Sequence, residues 1–187
     1  MLKKELRYKY KKARAGLSEK EQLVNSDLIL INFQKLQLPV IQCVLSYLAV
    51  PGEIDTSLIL RYLQFQNTSL QVAVPRIDES SETFDAVELQ HGDPLQTNHL
   101  GIPEPTGATV INPQEIDVAI VPLLAYDTKG FRVGFGKGYF DKFLAHCNAD
   151  IIKIGLSHFE PEEPIGDIST FDIPLNFCIT PHKIFSF

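Results

Sequence analysis

Five short segments constrain the fold more than anything else in the chain: VIQCVLSYLAV (40–50), LQVAVP (70–75), IDVAIVP (116–122), IIKIGL (151–156) and LNFCIT (175–180). Each is rich in β-branched residues and nearly continuously apolar, without the in-out alternation of a strand that has one wet face. Each therefore reads as a strand covered on both sides. Strands of that kind belong to parallel sheets, whose neighbours must be joined by crossovers, usually helical. TFDAVEL (83–89) does alternate and is expected to be half-covered. The expected architecture is α/β: a three-layer sandwich with a mostly parallel (mixed) central sheet and helices on both faces. At 187 residues, 44% hydrophobic and 21% charged, the chain has enough material for one sizeable core, and residues 1–187 are expected to form a single domain.

Helical spacing begins at the amino terminus. Leu2, Leu6, Tyr10, Ala13 and Leu17 fall on one helix face, and Lys3, Arg7, Lys11 and Arg14 follow one residue on, about 100° around the axis. Two readings of this basic stripe stand side by side: a solvated face, or a row of cations bordering a buried seam and held over an anion. Gly16 closes the helix. Ser18 to Glu21 has the form of a capping box, opening a second helix expected to run to about Leu36. Pro51-Gly52 is a turn, and Asp55 or Thr56 can cap a short helix through Leu58, Ile59, Tyr62 and Leu63. Residues 92–112, rich in Pro, Gly and Thr, read as one long loop, and Tyr139 to Cys147 returns to helical spacing.

The formal charge of −6 argues against a nucleic-acid surface made by bulk charge. Cys43, Cys147 and Cys178 are odd in number and set in apolar stretches, so buried free thiols are expected. The first residues are basic but lack an apolar leader core, and no stretch approaches the ~18 apolar residues of a membrane helix. A cytoplasmic protein with no nucleic-acid or membrane partner is expected, as a monomer or a weak homo-oligomer. The histidines at 91, 99, 146, 158 and 182 show no metal-ligand spacing; Asp85, Glu88, Asp93, Glu162, Glu163 and Asp167 read as solvated acids.

Chemistry concentrates in GFRVGFGKGYFD (130–141), between the strand IDVAIVP and the next helix, where open α/β sheets place their ligands. It is neither a P-loop nor G-x-G-x-x-G, because Gly134, Gly136 and Gly138 simply alternate. Alternate glycines admit close approach to the backbone, a helix beginning near Tyr139 would aim free N–H groups at the same spot, and Arg132 and Lys137 are counter-charges. Asp141 in the first helical turn could complement the dipole or hold Mg²⁺ beside a phosphate. These residues describe either an anion site or a tight structural turn.

The longer run VPLLAYDTKGFRVGFGKGYFDKFLA resembles the signature of the 5-formyltetrahydrofolate cyclo-ligase family, also called 5,10-methenyltetrahydrofolate synthetase. Its pattern is an apolar strand ending in Pro, an aromatic-Asp pair, then G-x-R-x-G-x-G-x-G-Y-[YF]-D. Supporting matches run along the chain: K-x-x-L-R at Lys3 to Arg7, the Leu17-Ser18 break, PGEIDT (51–56), VPR (74–76), EP (104–105), Asp172 and Ile179-Thr180.

The resemblance implies use of MgATP to close the formyl group of 5-formyltetrahydrofolate, in free or polyglutamylated form, onto N10, giving 5,10-methenyltetrahydrofolate, ADP and phosphate. It implies ATP contacts at Lys3 and Arg7 and a nucleotide loop made of Arg132, Val133, Gly134, Phe135, Gly136, Lys137, Gly138, Tyr139 and Phe140. Arg132, Lys137 and Tyr139 would act in the reaction, and Asp141 and Asp172 would be the Mg²⁺ carboxylates. Leu48 and Glu53 would contact folate, with Phe135, Gly136, Lys137, Gly138 and Tyr139 facing both ligands. Lys11 and Arg14 keep the solvated reading. Phe140, Pro161 and Phe171 depart from the family's usual residues. Two other functions fit the same residues: an ATP-dependent paralogue acting on another amide or carboxylate, and a non-catalytic folate- or nucleotide-binding protein.

Overall fold

A computed structural model describes residues 1–78, 83–107 and 109–187. Helix α1 (Lys3–Ala15) and helix α2 (Glu19–Phe33) precede strand β1 (Cys43–Ser46), helix α3 (Ser57–Gln66), strand β2 (Gln71–Asp78) and strand β3 (Thr83–Glu88). Strands β4 (Leu95–Thr97), β5 (Pro103–Pro105), β6 (Val118–Val121), β7 (Ala125–Tyr126) and β8 (Arg132–Val133) come next. Helix α4 (Tyr139–Leu144) and strands β9 (Ile152–Leu156), β10 (Phe177–Ile179) and β11 (Ile184–Ser186) complete the chain.

Seven strands form one sheet in the order β11-β10-β9-β6-β1-β2-β3. The five inner strands are parallel, and β3 and β11 pair antiparallel at the two edges. Successive side chains of a strand point to opposite faces, so each apolar run supplies two cores. Val44, Val72, Ile120, Ile154 and Ile179 meet Ile29 and Phe33 of α2 and Ile59, Leu60 and Leu63 of α3. On the other face Cys43, Leu45, Ala73, Ala119, Val121 and Cys178 meet Tyr126 after β7's start and Phe143 and Leu144 of α4. The mixed three-layer α/β arrangement expected from the sequence is the one found.

Several local expectations are corrected. Residues 92–112 are not a bare loop: β4 and β5 pair as a small hairpin in register Leu95–Pro105 to Thr97–Pro103. Helix α2 stops at Phe33, three residues short, with Lys35 and Leu36 in tight turns whose N–H groups reach Asn32 and Phe33 carbonyls. Helix α4 ends at Leu144 rather than Cys147. Glu162 is not a solvated acid, because it accepts a hydrogen bond from Tyr10 Oη at 2.6 Å and pairs with Lys9. The three thiols are free as expected, Cys43 and Cys178 fully buried and Cys147 partly so.

The strand order fixes where a ligand can sit. From β1 the chain passes through α3 to β2 on one side, whereas from β6 it passes through α4 to β9 on the other. The connections after these two neighbouring strands diverge and open a crevice at their carboxyl ends.

Candidate functional site

A cleft of about 750 Å³ occupies that crevice. Tyr47, Leu48, Val50, Pro51 and Glu53 follow β1, Pro122 follows β6, and Pro75 and Ile77 come from β2. Helix α1 lends Lys3 and Arg7, Arg132 and Gly134 to Asp141 form one side, and Leu100 to Pro103 of the hairpin also line the cleft. Of the residues singled out in the sequence, Lys3, Arg7, Leu48, Glu53, Arg132, Gly134 to Asp141 and Asp172 all line this one space. Val133 does not. Its side chain is fully buried with Leu6, Tyr10, Leu124 and Ala125, and it pairs with Ala125 of β7, so its side chain supports the loop from behind.

The glycine-rich loop is shaped by its glycines and pinned by α1. Gly136 has φ of +104° and Gly138 φ of +71°, conformations that L side chains rarely adopt. Gly138 is also the N-cap of α4, so the free N–H groups of that helix open toward the loop. Arg7 Nε donates to the Gly134 carbonyl at 3.0 Å, and a Cβ on Gly136 would lie 3.4 Å from the same nitrogen. Arg7 thus sets how far the loop stands from α1. Phe135, Gly136, Lys137 and Gly138 are exposed along the cleft.

Behind them lie two cation–carboxylate pairs. The Arg132 side chain is 4% exposed and donates through Nη2 to Asp141 Oδ1 at 3.0 Å and through Nη1 to the Ile173 carbonyl at 2.6 Å. Burial pulls the Arg132 pKa down while the Asp141 charge opposes it, and a guanidinium stays cationic in this setting. The Ile173 N–H reaches the same Asp141 oxygen at 3.0 Å. Asp172 pairs with Lys3 and accepts the Ser169 N–H at 2.6 Å. Burial alone would raise the Asp172 pKa, but the Lys3 hydrogen bond and the Ser169 N–H outweigh it and hold the carboxyl below its usual range.

Asp141 and Asp172 offer carboxylate oxygens of the kind that Mg²⁺ takes together with phosphate oxygens and waters, and each is paired with a cation that such a metal would have to displace. Among the described residues no cluster of three or more His, Cys, Asp and Glu would cage a metal by itself.

The far end of the cleft is drier. The Glu53 side chain is 8% exposed; Oε2 accepts the Val50 N–H at 3.2 Å, and Oε1 lies 3.7 Å from Arg14 Nη1. Burial pushes the Glu53 carboxyl up, opposed by the Val50 N–H and by Arg14. Arg14 is therefore not on a solvated face: it is 15% exposed, with its guanidinium 5.3 Å from the Phe135 ring centroid. Lys11 is exposed as expected. The spacing held the signal for Arg14, which sits seven residues after Arg7 on the same helix face, but only the tertiary fold shows what that face meets.

The sequence reading also missed Tyr47, Ile77, Phe84, Pro122 and the hairpin wall. Glu104 docks that wall: its Oε1 accepts the Ile77 N–H at 2.8 Å and Asn98 Nδ2 at 2.7 Å, joining the hairpin to β2. Of the family departures, Phe140 packs 4.9 Å from the Phe84 ring, an apolar contact that needs no hydroxyl, and Phe171 is 82% exposed.

Sheet order and cleft together define an open α/β protein with its main cleft at the topological switch point, lined by a glycine-rich loop and by a sheltered carboxylate. The chain belongs to the 5-formyltetrahydrofolate cyclo-ligase family, whose model matches residues 1–180. Curated relatives named 5-formyltetrahydrofolate cyclo-ligase include that of Haemophilus influenzae, 29% identical over 133 residues, 69% of this chain and 70% of the relative. That of Escherichia coli is 28% identical over 142 residues, 74% of this chain and 77% of the relative. With the cyclo-ligase of Mycoplasma genitalium, 38% identical over 69 residues, the match spans 36% of this chain and 42% of the relative. Among solved structures, the 5,10-methenyltetrahydrofolate synthetase of Aquifex aeolicus superposes with a TM-score of 0.82 at 27% identity, covering 100% of this chain and 93% of that one.

Proposed function

We propose that the protein uses ATP and Mg²⁺ to convert 5-formyltetrahydrofolate into 5,10-methenyltetrahydrofolate, releasing ADP and phosphate. One observation carries the reading: a single cleft unites the glycine-rich loop, the Lys3–Asp172 and Arg132–Asp141 pairs, and Glu53. A formamide oxygen is a poor leaving group. In the proposed sequence the formyl oxygen attacks the γ-phosphorus and ADP departs. N10 then attacks the formyl carbon, loses its proton, and phosphate leaves with the former formyl oxygen. No protein nucleophile is required; the work is positioning and charge neutralisation.

Lys137, exposed along the cleft, would meet the γ-phosphoryl group, with Lys3 and Arg7 contributed by α1. Asp141 and Asp172 would hold Mg²⁺, which would supply charge neutralisation between phosphate oxygens. Lys3 and Arg132 now neutralise those carboxylates, so binding MgATP would exchange one set of ion pairs for another instead of uncovering bare charge. Glu53 would accept the paired ring N–H and amino donors of the pterin, and Tyr139 can stack and hydrogen-bond at once.

The test is to mix protein, 5-formyltetrahydrofolate and MgATP and follow the near-UV absorbance of the methenyl product. ATP-dependent growth of that band is expected, and its absence in a protein that binds both ligands would overturn the reading.

A further inference from the structure

Arg14 occupies a place that the pattern of α1 leaves unassigned. Its guanidinium lies between two parts of the cleft that come from different regions of the chain: the Glu53 carboxylate on the turn after β1, 3.7 Å away, and the Phe135 ring on the glycine-rich loop, 5.3 Å away. The turn presses on it too, since a Cβ on Gly52 would come within 3.5 Å of Arg14 Nε. Behind the pair is a cavity of only about 10 Å³, lined by Arg14, Tyr47, Glu53, Pro122, His158 and Phe159 among others, room for about one water. The pair is therefore packed in place rather than waving in solvent, unlike the exposed ion pairs that contribute little.

Glu53 has two oxygens with two lone-pair directions each. The Val50 N–H uses one on Oε2, and Arg14 faces Oε1. One acceptor direction remains on each oxygen, the pattern that meets two adjacent N–H donors on the edge of a flat heterocycle. Without the cation beside Oε1, the 3.2 Å bond from the Val50 N–H to Oε2 is left to restrain the carboxyl plane from one side.

We propose that Arg14 is a positioning residue for substrate recognition: held between Glu53 and Phe135, it orients the Glu53 carboxylate toward the paired N–H edge of the folate ring and couples that end of the cleft to the nucleotide loop. The inference rests on the folate reading above, because Glu53 is its proposed substrate contact. Arg14 need touch neither substrate. The planar guanidinium is suited to the place because one face can lie over an aromatic ring while an edge meets a carboxylate.

The charged and titratable groups around Glu53 can be named. Arg14 comes from α1, Tyr47 from the end of β1, His158 from the segment after β9, and Asp55 from the same turn as Glu53. Burial brings the His158 pKa to about 4; its Nε2–H donates to the Gly52 carbonyl at 3.3 Å, while Nδ1 accepts from Asn25 Nδ2 at 3.1 Å. Burial drives the Tyr47 phenol well above its ordinary value. Both are neutral between pH 6 and 9, so in that window a titration that follows loss of Arg14 belongs to the Glu53 carboxyl.

The sign follows from the causes. Arg14 opposes the upward push of burial on Glu53, so removing it raises the carboxyl pKa further. Protonated Glu53 can no longer offer two acceptors, and folate binding weakens as pH falls.

The experiment compares wild type, Arg14→Met and Arg14→Lys in the methenyl-forming assay from pH 6 to 9, with thermal melts as a folding check. For Arg14→Met the folate KM, relative to wild type, is expected to rise about tenfold, with the larger ratio at the acid end of the range and the ATP KM within about twofold. Arg14→Lys keeps the charge and should flatten that pH dependence while leaving a smaller, constant deficit. A ratio for Arg14→Met that does not vary with pH, or equal rises in the folate and ATP KM values, would overturn the proposal and leave Arg14 a packing residue. Absence of methenyl product with wild type itself would instead sink the functional reading on which the proposal stands.

Discussion

The two ends of the cleft solve different electrostatic problems. At the loop end, Phe135 to Gly138 are exposed, and two of the cations near them already have a carboxylate: Lys3 with Asp172, Arg132 with Asp141. Charges there are numerous, near solvent and able to exchange partners. At the Glu53 end a single carboxylate, 8% exposed, faces one guanidinium and one N–H, with neutral His158 and Tyr47 behind. The first arrangement suits a highly charged ligand that arrives with its own counter-ion. The second suits a neutral ring edge that must be read by direction, since a low-dielectric pocket makes a misaligned donor expensive.

The contrast predicts separable losses, and the largest belongs to the loop end. On the proposed function Lys137→Ala would remove a counter-charge to the transferred phosphoryl group, and kcat/KM for ATP should fall about a hundredfold or more, the scale of losing one preorganised donor to a transition state. Folding should be untouched, because Lys137 is exposed and no buried partner is orphaned. Steady-state kinetics with each substrate varied in turn check this; a loss confined to the folate KM would erase the distinction between the two ends.

Glu53→Gln tests the other end with a smaller effect. The amide keeps the shape but presents a donor where one ring N–H needs an acceptor, a mismatch of about 1–3 kcal/mol, so the folate KM should rise roughly tenfold. The ATP KM should move less than about twofold. Equal rises would mean that the ends of the cleft are energetically one site.

The same contrast explains which parts of the molecule were legible in the sequence. The five inner strands were readable because double-sided burial forces a composition found in few other contexts, as in IDVAIVP. The glycine-rich run was readable as a cleft-lining segment because Gly136 and Gly138 need backbone freedom that only glycine supplies cheaply. Arg14 and Glu162 were misread for one physical reason: a charged residue on an amphipathic helix or in a loop carries no local mark of the partner that the tertiary fold brings to it. The β4–β5 hairpin was hidden differently, since Pro103 and Pro105 in β5 argue against a strand unless it is short and peripheral, as this one is. Val133 shows the reverse case: it lies inside the glycine-rich run, yet the strand turns its side chain into the core.

The hairpin supplies the smallest expected effect and a check on which substrate its wall serves. Leu100 to Pro103 line the cleft, and Glu104 is a polar link that carries the Ile77 N–H and Asn98 into one knot with β2. Glu104→Ala leaves the Ile77 N–H without that acceptor at a half-buried edge, at a cost of about 1 kcal/mol, or roughly fivefold in any equilibrium that requires the wall in place. The folate KM should rise by up to that factor and the ATP KM hardly at all, because the nucleotide loop is held by α1 through Arg7 and Gly134 and not by the hairpin. Limited proteolysis should show faster cutting between residues 97 and 103 in the variant, with protection returning when 5-formyltetrahydrofolate is added. If ATP alone restored protection, the hairpin would belong to the phosphate end, and the division between a charge-exchanging half and a direction-reading half would have to be redrawn around Ile77.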